Sequence, residues 1–342
     1  MTAPSARTVR AACVLVVTLL SARVAATQQP TARIVRNASA FLATLDQAQR
    51  QRVSFAYDDA EQRKRWSNLP TFFKRAGLTM GELNTVQRTA AMALVSSSLS
   101  ARGYEKVQQM VDADEVLKGS ERNNPMFGKD LYFISILGTP SETAPWMLQF
   151  GGHHLALNIT IIGAQGILTP SLTGAQPATY TANGVTIRPL GQENDRAFAL
   201  LNALDAAQRG QAILNYRVAD LVLGPGQDGN TIQPEGLKAT AMNAQQRTML
   251  VDLIAEWSGI VHESAAAARI ADIKSGLDDT WFAWSGPTTM QPGHNGTAYY
   301  RIQGPKLVIE YAPQPMGGDA GNHIHTIYRD PTNDYGRKPA AK

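Results

Sequence analysis

Apolar residues recur along the chain in two distinct rhythms, one of helical and one of strand period. Residues 85–99 and 248–260 place apolar side chains at helical spacing and predict core-facing helices, as does the stretch from about 38 to 57. Two other stretches run apolar at strand length and fold back. In 146–160 (WMLQF, GG, HHLALNIT), Gly151-Gly152 separates two apolar runs and predicts a two-residue hairpin turn, since glycine takes positive φ without a Cβ penalty. In that register Phe150 faces His153 and Gln149 faces His154. The second hairpin goes out over 307–311 and returns over 323–328, around APQPMGGDAGN. Pairing Tyr311 with Asn322 sets Glu310 opposite His323, with His325 one step along on the same face. Residues 163–189 read as short strands and turns, and the Gly/Pro-rich 223–236 as a surface loop too long for a mere connector, hence a functional candidate.

A short polar pattern punctuates these elements. Asp or Asn followed three residues later by Gln-Arg occurs at Asp46, Asn84, Asp205 and Asn243. The acid or amide suits an N-cap, and the Gln at N3 reaches back to it. The first and second copies lie 38 residues apart, as do the third and fourth, and the first pair leads the second by 159. Each pair precedes a strand-like region opening on adjacent aromatics (Tyr132-Phe133, Trp281-Phe282) and then one of the two hairpins. The expected fold class is therefore α+β: two pseudo-equivalent helix–helix–strand halves, 38–190 and 196–336, sharing one core and each carrying a His-bearing β-hairpin. Under that alignment Gln149 corresponds to Glu310, Phe150 to Tyr311 and His154 to His323.

The N-terminus changes the reading of charge. Arg7 and Arg10 precede the apolar run 11–20, and Val24-Ala25-Ala26 supplies small residues before Thr27, which predicts a cleaved signal peptide over 1–26 and a secreted or periplasmic protein. A polar leader (27–37), a single domain (38–336) and a tail (337–342) follow. Cleavage of the signal peptide removes three of 32 basic residues and none of 28 acidic ones, leaving 29 against 28. That balance disfavours a nucleic-acid role, and no later run predicts a membrane anchor in the mature form. Cys13, the only cysteine, lies in the predicted signal peptide, so any metal must be held by His, carboxylate or backbone oxygen.

Four of the six histidines sit on the two hairpins. Alternate residues of a strand share a face, so His323 and His325 suit one metal ion, with Glu310 reaching it from the facing strand and His154 from the other hairpin. Such ligands suit Zn, Fe, Mn or Cu. Glu310 and His154 are also the catalytic candidates, in a metal-dependent hydrolase or oxidoreductase acting on an unidentified small molecule, ester or amide. The competing readings are a non-catalytic exported protein that binds a metal or small ligand, and strand histidines satisfied by Gln149 and Glu310. Asp330 and Asp334 in the tail are further candidates to reach the site, and Trp146, Trp281, Trp284 and Tyr311 to line a cleft. His262 reads as a helix-surface residue and His294 as a loop one. No G-x-S-x-G elbow or nucleotide-binding glycine fingerprint is present.

WSNLP (66–70), GELNTVQR (81–88), PWMLQFGGHHLALN (145–158), LTPSLTGAQPATY (168–180), DDTWFAWSG (278–286) and HIHTIYRDPTNDYG (323–336) together resemble a bacterial exported family catalogued as domain of unknown function 3500. The resemblance spans nearly the whole mature chain and implies one family-wide unit from about 35 to 336. It implies no activity and no catalytic residues.

Overall fold

Each Asp/Asn-x-x-Gln-Arg segment opens a helix with a complete capping box. The computed structural model describes residues 30–338, so the predicted signal peptide and the last four residues of the tail lie outside the described residues. Helix α1 occupies 30–44, so most of the expected polar leader is helical. Then come α2 (Gln47–Val53), β1 (Ser54–Phe55), α3 (Ala60–Arg63), β2 (Leu78–Thr79), α4 (Thr85–Ser98) and α5 (Ala101–Ser120). Strands β3 (Phe133–Leu137), β4 (Trp146–Gly152), β5 (Leu155–Ile162) and β6 (Gln165–Ala175) follow, with a small β7 (Tyr180–Ala182) and β8 (Val185–Ile187) hairpin. The remainder is α6 (Gly191–Ala203), α7 (Ala206–Ala212), β9 (Leu237–Lys238), α8 (Ala244–Ser258), α9 (Glu263–Ser275), β10 (Trp281–Ser285), β11 (Tyr299–Gly304), β12 (Leu307–Pro313) and β13 (Ile324–Arg329).

The capping glutamines do more than the pattern predicts. Gln87 Nε2 donates to Gln49 Oε1 (2.8 Å) and to the Thr44 carbonyl (3.1 Å), tying α4 to the helices before it. Gln246 does the same toward Gln208 Oε1 (2.8 Å) and the Ala203 carbonyl (2.8 Å). Where α4 meets α5 and α8 meets α9, the extended residues Leu99 and Val261 form a β-bridge, with Ser100 N on the Ile260 carbonyl (3.0 Å) and His262 N on the Ser98 carbonyl (3.1 Å).

The architecture is mixed α+β: helices pack on one face of an eleven-stranded sheet. Its order is β1-β3-β4-β5-β6-β13-β12-β11-β10-β9, with β2 also on β3; β1–β3 is parallel and every other pairing antiparallel. Residues directly opposite one another share a face. The row Tyr300–Tyr311–Thr326–Thr173 points to the helices, where Trp257 Nε1 donates to Thr326 Oγ1 (2.9 Å) and Tyr300 stacks on Tyr311 (5.0 Å). Trp146, Trp284 and Tyr311 are buried on the helix side, so they do not line a cleft. The adjacent row, Arg301–Glu310–Ile327–Leu172, points the other way.

That second face is covered without helix layers. A smaller core of Trp66, Leu137, Met147, Ala156, Leu172, Ile327 and Tyr335 is closed by the segments around 56–76, 214–236 and 330–338. Arg329, 1% exposed, holds this cover down. Its Nε donates to the Leu223 carbonyl (2.7 Å) and its Nη2 to the Gly224 carbonyl (2.9 Å), while Nη1 pairs with Asp228 (3.0 Å) and Asp334 (2.6 Å). The loop read as a surface element is thus partly a lid anchored to the sheet. Asp334 is spent on Arg329 and Asp330 faces Arg269 (3.3 Å), so neither reaches the histidines. Among the described residues no helix is long and apolar enough to cross a membrane.

Candidate metal centre

Both histidine hairpins are registered differently from the expectation. Strand β4 continues through the two glycines, Gly151 pairing with Ala156 and Gly152 with Leu155, and the turn is made by His153-His154. The glycines serve close approach rather than the turn. A Cβ on Gly151 would stand 2.3 Å from the Leu155 carbonyl oxygen, and one on Gly152 2.9 Å from the Tyr132 ring. His154 instead takes the left-handed conformation (φ 59°), which costs a non-glycine residue roughly 1 kcal/mol. Such a strained position is a pointer to function. Because His153 and His154 form a turn, their rings do not go to opposite faces but stack at 3.7 Å.

In the second hairpin Tyr311 pairs with Thr326, Ala312 with His325, and Glu310 with Ile327, so Glu310 does not face His323. Its carboxylate is fully buried and accepts from Val222 N (2.8 Å), Leu223 N (2.7 Å) and Tyr299 Oη (2.6 Å). It holds the lid backbone, and the structure does not bring it to the histidines. Gln149 likewise pairs with Asn158 and bonds Gln62, away from His154. Burial pushes the Glu310 pKa up, against the pull of these donors.

The other three candidates do meet. His154 Nε2 lies 3.0 Å from His323 Nε2, which lies 3.2 Å from His325 Nε2, and one ligand nitrogen from each ring falls within 4.8 Å of the others. All three residues are buried. The group stands at one end of the central strands, with His325 opposite Gly174 of β6. A Cβ on Gly174 would approach the Ile324 carbonyl oxygen to 2.7 Å and His154 Cβ to 3.3 Å, so glycine there makes room for His154.

The surroundings orient the rings. His323 Nδ1 is 2.8 Å from the Met316 carbonyl oxygen; a carbonyl only accepts, so the proton sits on Nδ1 and the Nε2 lone pair points into the cluster. His325 Nδ1 is 3.4 Å from Asp220 Oδ1, a carboxylate–histidine contact of the kind that supports metal ligands. Asn68 Nδ2 lies 3.4 Å from each ring nitrogen of His325. His153 turns its Nδ1 to Asp114 (2.6 Å), which also accepts from Gly128 N (2.8 Å). Arg75 ties the 67–69 segment to the turn through the carbonyls of Ser67 (2.7 Å), Leu69 (2.6 Å) and Gly152 (2.7 Å); its burial lowers its pKa to about 10. Burial also pushes the His154 pKa well down, aided by the three neighbouring histidines, and lowers that of His323 to about 4. Both rings are neutral at neutral pH, as metal ligation requires.

One ring lone pair accepts one N–H well, yet two nitrogens converge on His323 Nε2. With His323 Nδ1 donating to the Met316 carbonyl and His325 Nδ1 donating to Asp220, the Nε2 lone pairs of both rings face each other, and a cation would accept both. Nitrogens bound tetrahedrally at 2.0–2.1 Å are about 3.3 Å apart, close to the 3.0 and 3.2 Å of two pairs here, while the third pair lies within 4.8 Å. Asp220, Asn68, Asp114 and Arg75 were not singled out from sequence. None carries a local motif: Asn68, Arg75 and Asp220 arrive from loops and Asp114 from the buried face of α5, and long-range packing decides where each comes to rest. His262, expected on a helix surface, is 1% exposed at the N-cap of α9, and His294 lies in an exposed loop as expected.

No curated protein and no solved structure matches the chain. The family model described as protein of unknown function (DUF3500) matches residues 27–337. With nearly the whole chain covered, the protein belongs to the DUF3500 family.

Proposed function

We propose that the protein is a metal-dependent enzyme whose ion is held by His154, His323 and His325. The observation that carries this reading is the convergence of three buried imidazole nitrogens, with the His323 lone pair fixed inward by the Met316 carbonyl. Three imidazole nitrogens would suit Zn, Fe, Mn or Cu and would leave further coordination positions for water or substrate. The bound metal supplies Lewis acidity to a carbonyl or water, or redox chemistry toward an organic substrate. The chain's own groups do the rest. Asp220 orients His325, the Met316 carbonyl orients His323, and the turn geometry with Gly174 seats His154.

The near-complete burial of the three rings favours a second reading, an exported metal-binding protein without turnover. We infer export from residues 7–26, a charged start, an apolar run and small residues before Thr27. We also infer an internal duplication. It is supported by the paired capping boxes, by the Gln49–Gln87 and Gln208–Gln246 contacts, each between residues 38 apart, and by the strands running β5, β4, β3 and β12, β11, β10 outward from the β6–β13 pair. Under it β4 corresponds to β11 and β5 to β12, one strand away from the hairpin alignment the sequence suggests.

The test is elemental analysis of the purified mature protein beside folded His154→Ala and His323→Ala variants. One equivalent of transition metal in the wild type, lost in both, supports the centre. A wild type that stays metal-free after reconstitution overturns it. Turnover of ester, amide or oxidisable probes by the loaded wild type alone separates the enzyme from the carrier.

A further inference from the structure

A second concave site lies far from the histidines. Between α9, the start of β6 and the C-terminal segment is a cleft of about 350 Å³, within the range of small-molecule sites. Gly166 lines it, and eight residues of β6 separate Gly166 from Gly174 beside the metal centre, roughly 26 Å along a strand. Its lining is of two kinds. Ile167, Val261, Ala265 and Ala268 offer apolar surface, while the polar mouth holds Arg269 paired with Asp272 and Asp330, Lys306 paired with Asp272, and Lys338, which has no carboxylate partner among the described residues.

The independent sign of a ligand is His262. It is 1% exposed, and its Nε2 has no hydrogen-bond partner among the described residues, although its Nδ1 meets Ser264 Oγ at 3.0 Å. The ring is not itself part of the lining but lies directly behind it: its Nε2 stands 2.7 Å from where a Cβ on Gly166 would sit, and Gly166, Val261 and Ser264 all line the cleft. A buried ring nitrogen left without a partner is destabilising, a penalty that a polar group reaching it from the cleft would remove. As the N-cap of α9, His262 gives the helix no side-chain cap, whereas Ser100 before α5 accepts from Gly103 N.

We propose that this cleft binds a small organic anion with an apolar body. The body lies on Val261, Ala265 and Ala268, a polar group reaches His262 Nε2 past the bare backbone of Gly166, and the charge meets Lys338 at the mouth. The site stands whether or not the histidine centre holds a metal.

The probe is 1-anilinonaphthalene-8-sulfonate, titrated by fluorescence into the folded mature protein, with the neutral N-phenyl-1-naphthylamine as comparison. Expected are one saturable site, at least tenfold tighter for the sulfonate, and at least tenfold weakening in Ala268→Trp, a change on an exposed helix position that fills the cleft. In ¹⁵N spectra the His262 ring resonances move on saturation and those of His154 and His323 do not. No saturable binding, unchanged binding in Ala268→Trp, equal affinity for the neutral analogue, or an unmoved His262 overturns the proposal.

Discussion

Arg329→Met is the change whose cost the structure specifies most fully. Methionine keeps much of the buried stem but removes the guanidinium that bonds the Leu223 and Gly224 carbonyls and pairs with Asp228 and Asp334. The two carboxylates are 14% and 13% exposed, so water reaches them poorly once the arginine is gone. Breaking a buried charge pair by removing one partner costs about 3–5 kcal/mol, and the stranded carboxylates account for most of it. The two carbonyls lose charge-assisted bonds as well, but they can turn to water as the lid loosens, so the terms do not add. The expected loss is about 3–5 kcal/mol by urea unfolding at pH 7. Adding Asp228→Asn and Asp334→Asn to Arg329→Met should recover roughly half of it by removing the stranded charges. A loss under about 1 kcal/mol, or no recovery in the triple variant, would refute the view that this cluster anchors the lid. Because the same segment carries Asp220 to His325, Arg329→Met should also weaken metal binding without touching a ligand.

Asp220→Asn should lower Zn²⁺ affinity about 10–100-fold by calorimetry while leaving stability of the metal-free protein nearly unchanged, the usual effect of losing a carboxylate behind a histidine ligand. Gly174→Ala should cost about 1–3 kcal/mol, since its methyl meets the Ile324 carbonyl oxygen and His154 Cβ, and should weaken metal binding too; full affinity with full stability would contradict the packing described. The metal-free protein should lose stability in acid: His154 and His323 have depressed folded pKa values, so unfolding takes up protons. Their contribution is whole above about pH 6.5 and falls as pH drops toward about 4; His323→Gln should flatten the curve in that window, and an unchanged slope would count against a neutral buried His323.

What could be read from sequence was whatever local chemistry decides. Asp46, Asn84, Asp205 and Asn243 announced their helices because a cap and its N3 glutamine interact within one turn. The apolar runs gave β4, β5, β12 and β13, and three of the four proposed ligands do converge. Register was where local reasoning failed. Gly151-Gly152 has the composition of a turn, yet the glycines were needed so that Leu155 and Tyr132 pack against bare backbone, which only the folded chain reveals. Glu310 has the right spacing and even the right face, but two amides of a segment some ninety residues earlier had claimed its carboxylate, Leu223 N at a separation of 87 and Val222 N at 88. Asp220 became visible only when that segment was laid over the sheet.

His154 and His323 are 169 positions apart in the chain, on opposite sides of the β6–β13 seam. An ion shared by them would be a removable cross-link closing a very long loop, comparable in reach to a long-range disulfide in a protein whose single cysteine, Cys13, can form none within the chain. Chelation would then do more than empty a site. It would cut a tether between the two sides of the sheet, and the rate at which the strands part at the seam would report whether the tether had been in place.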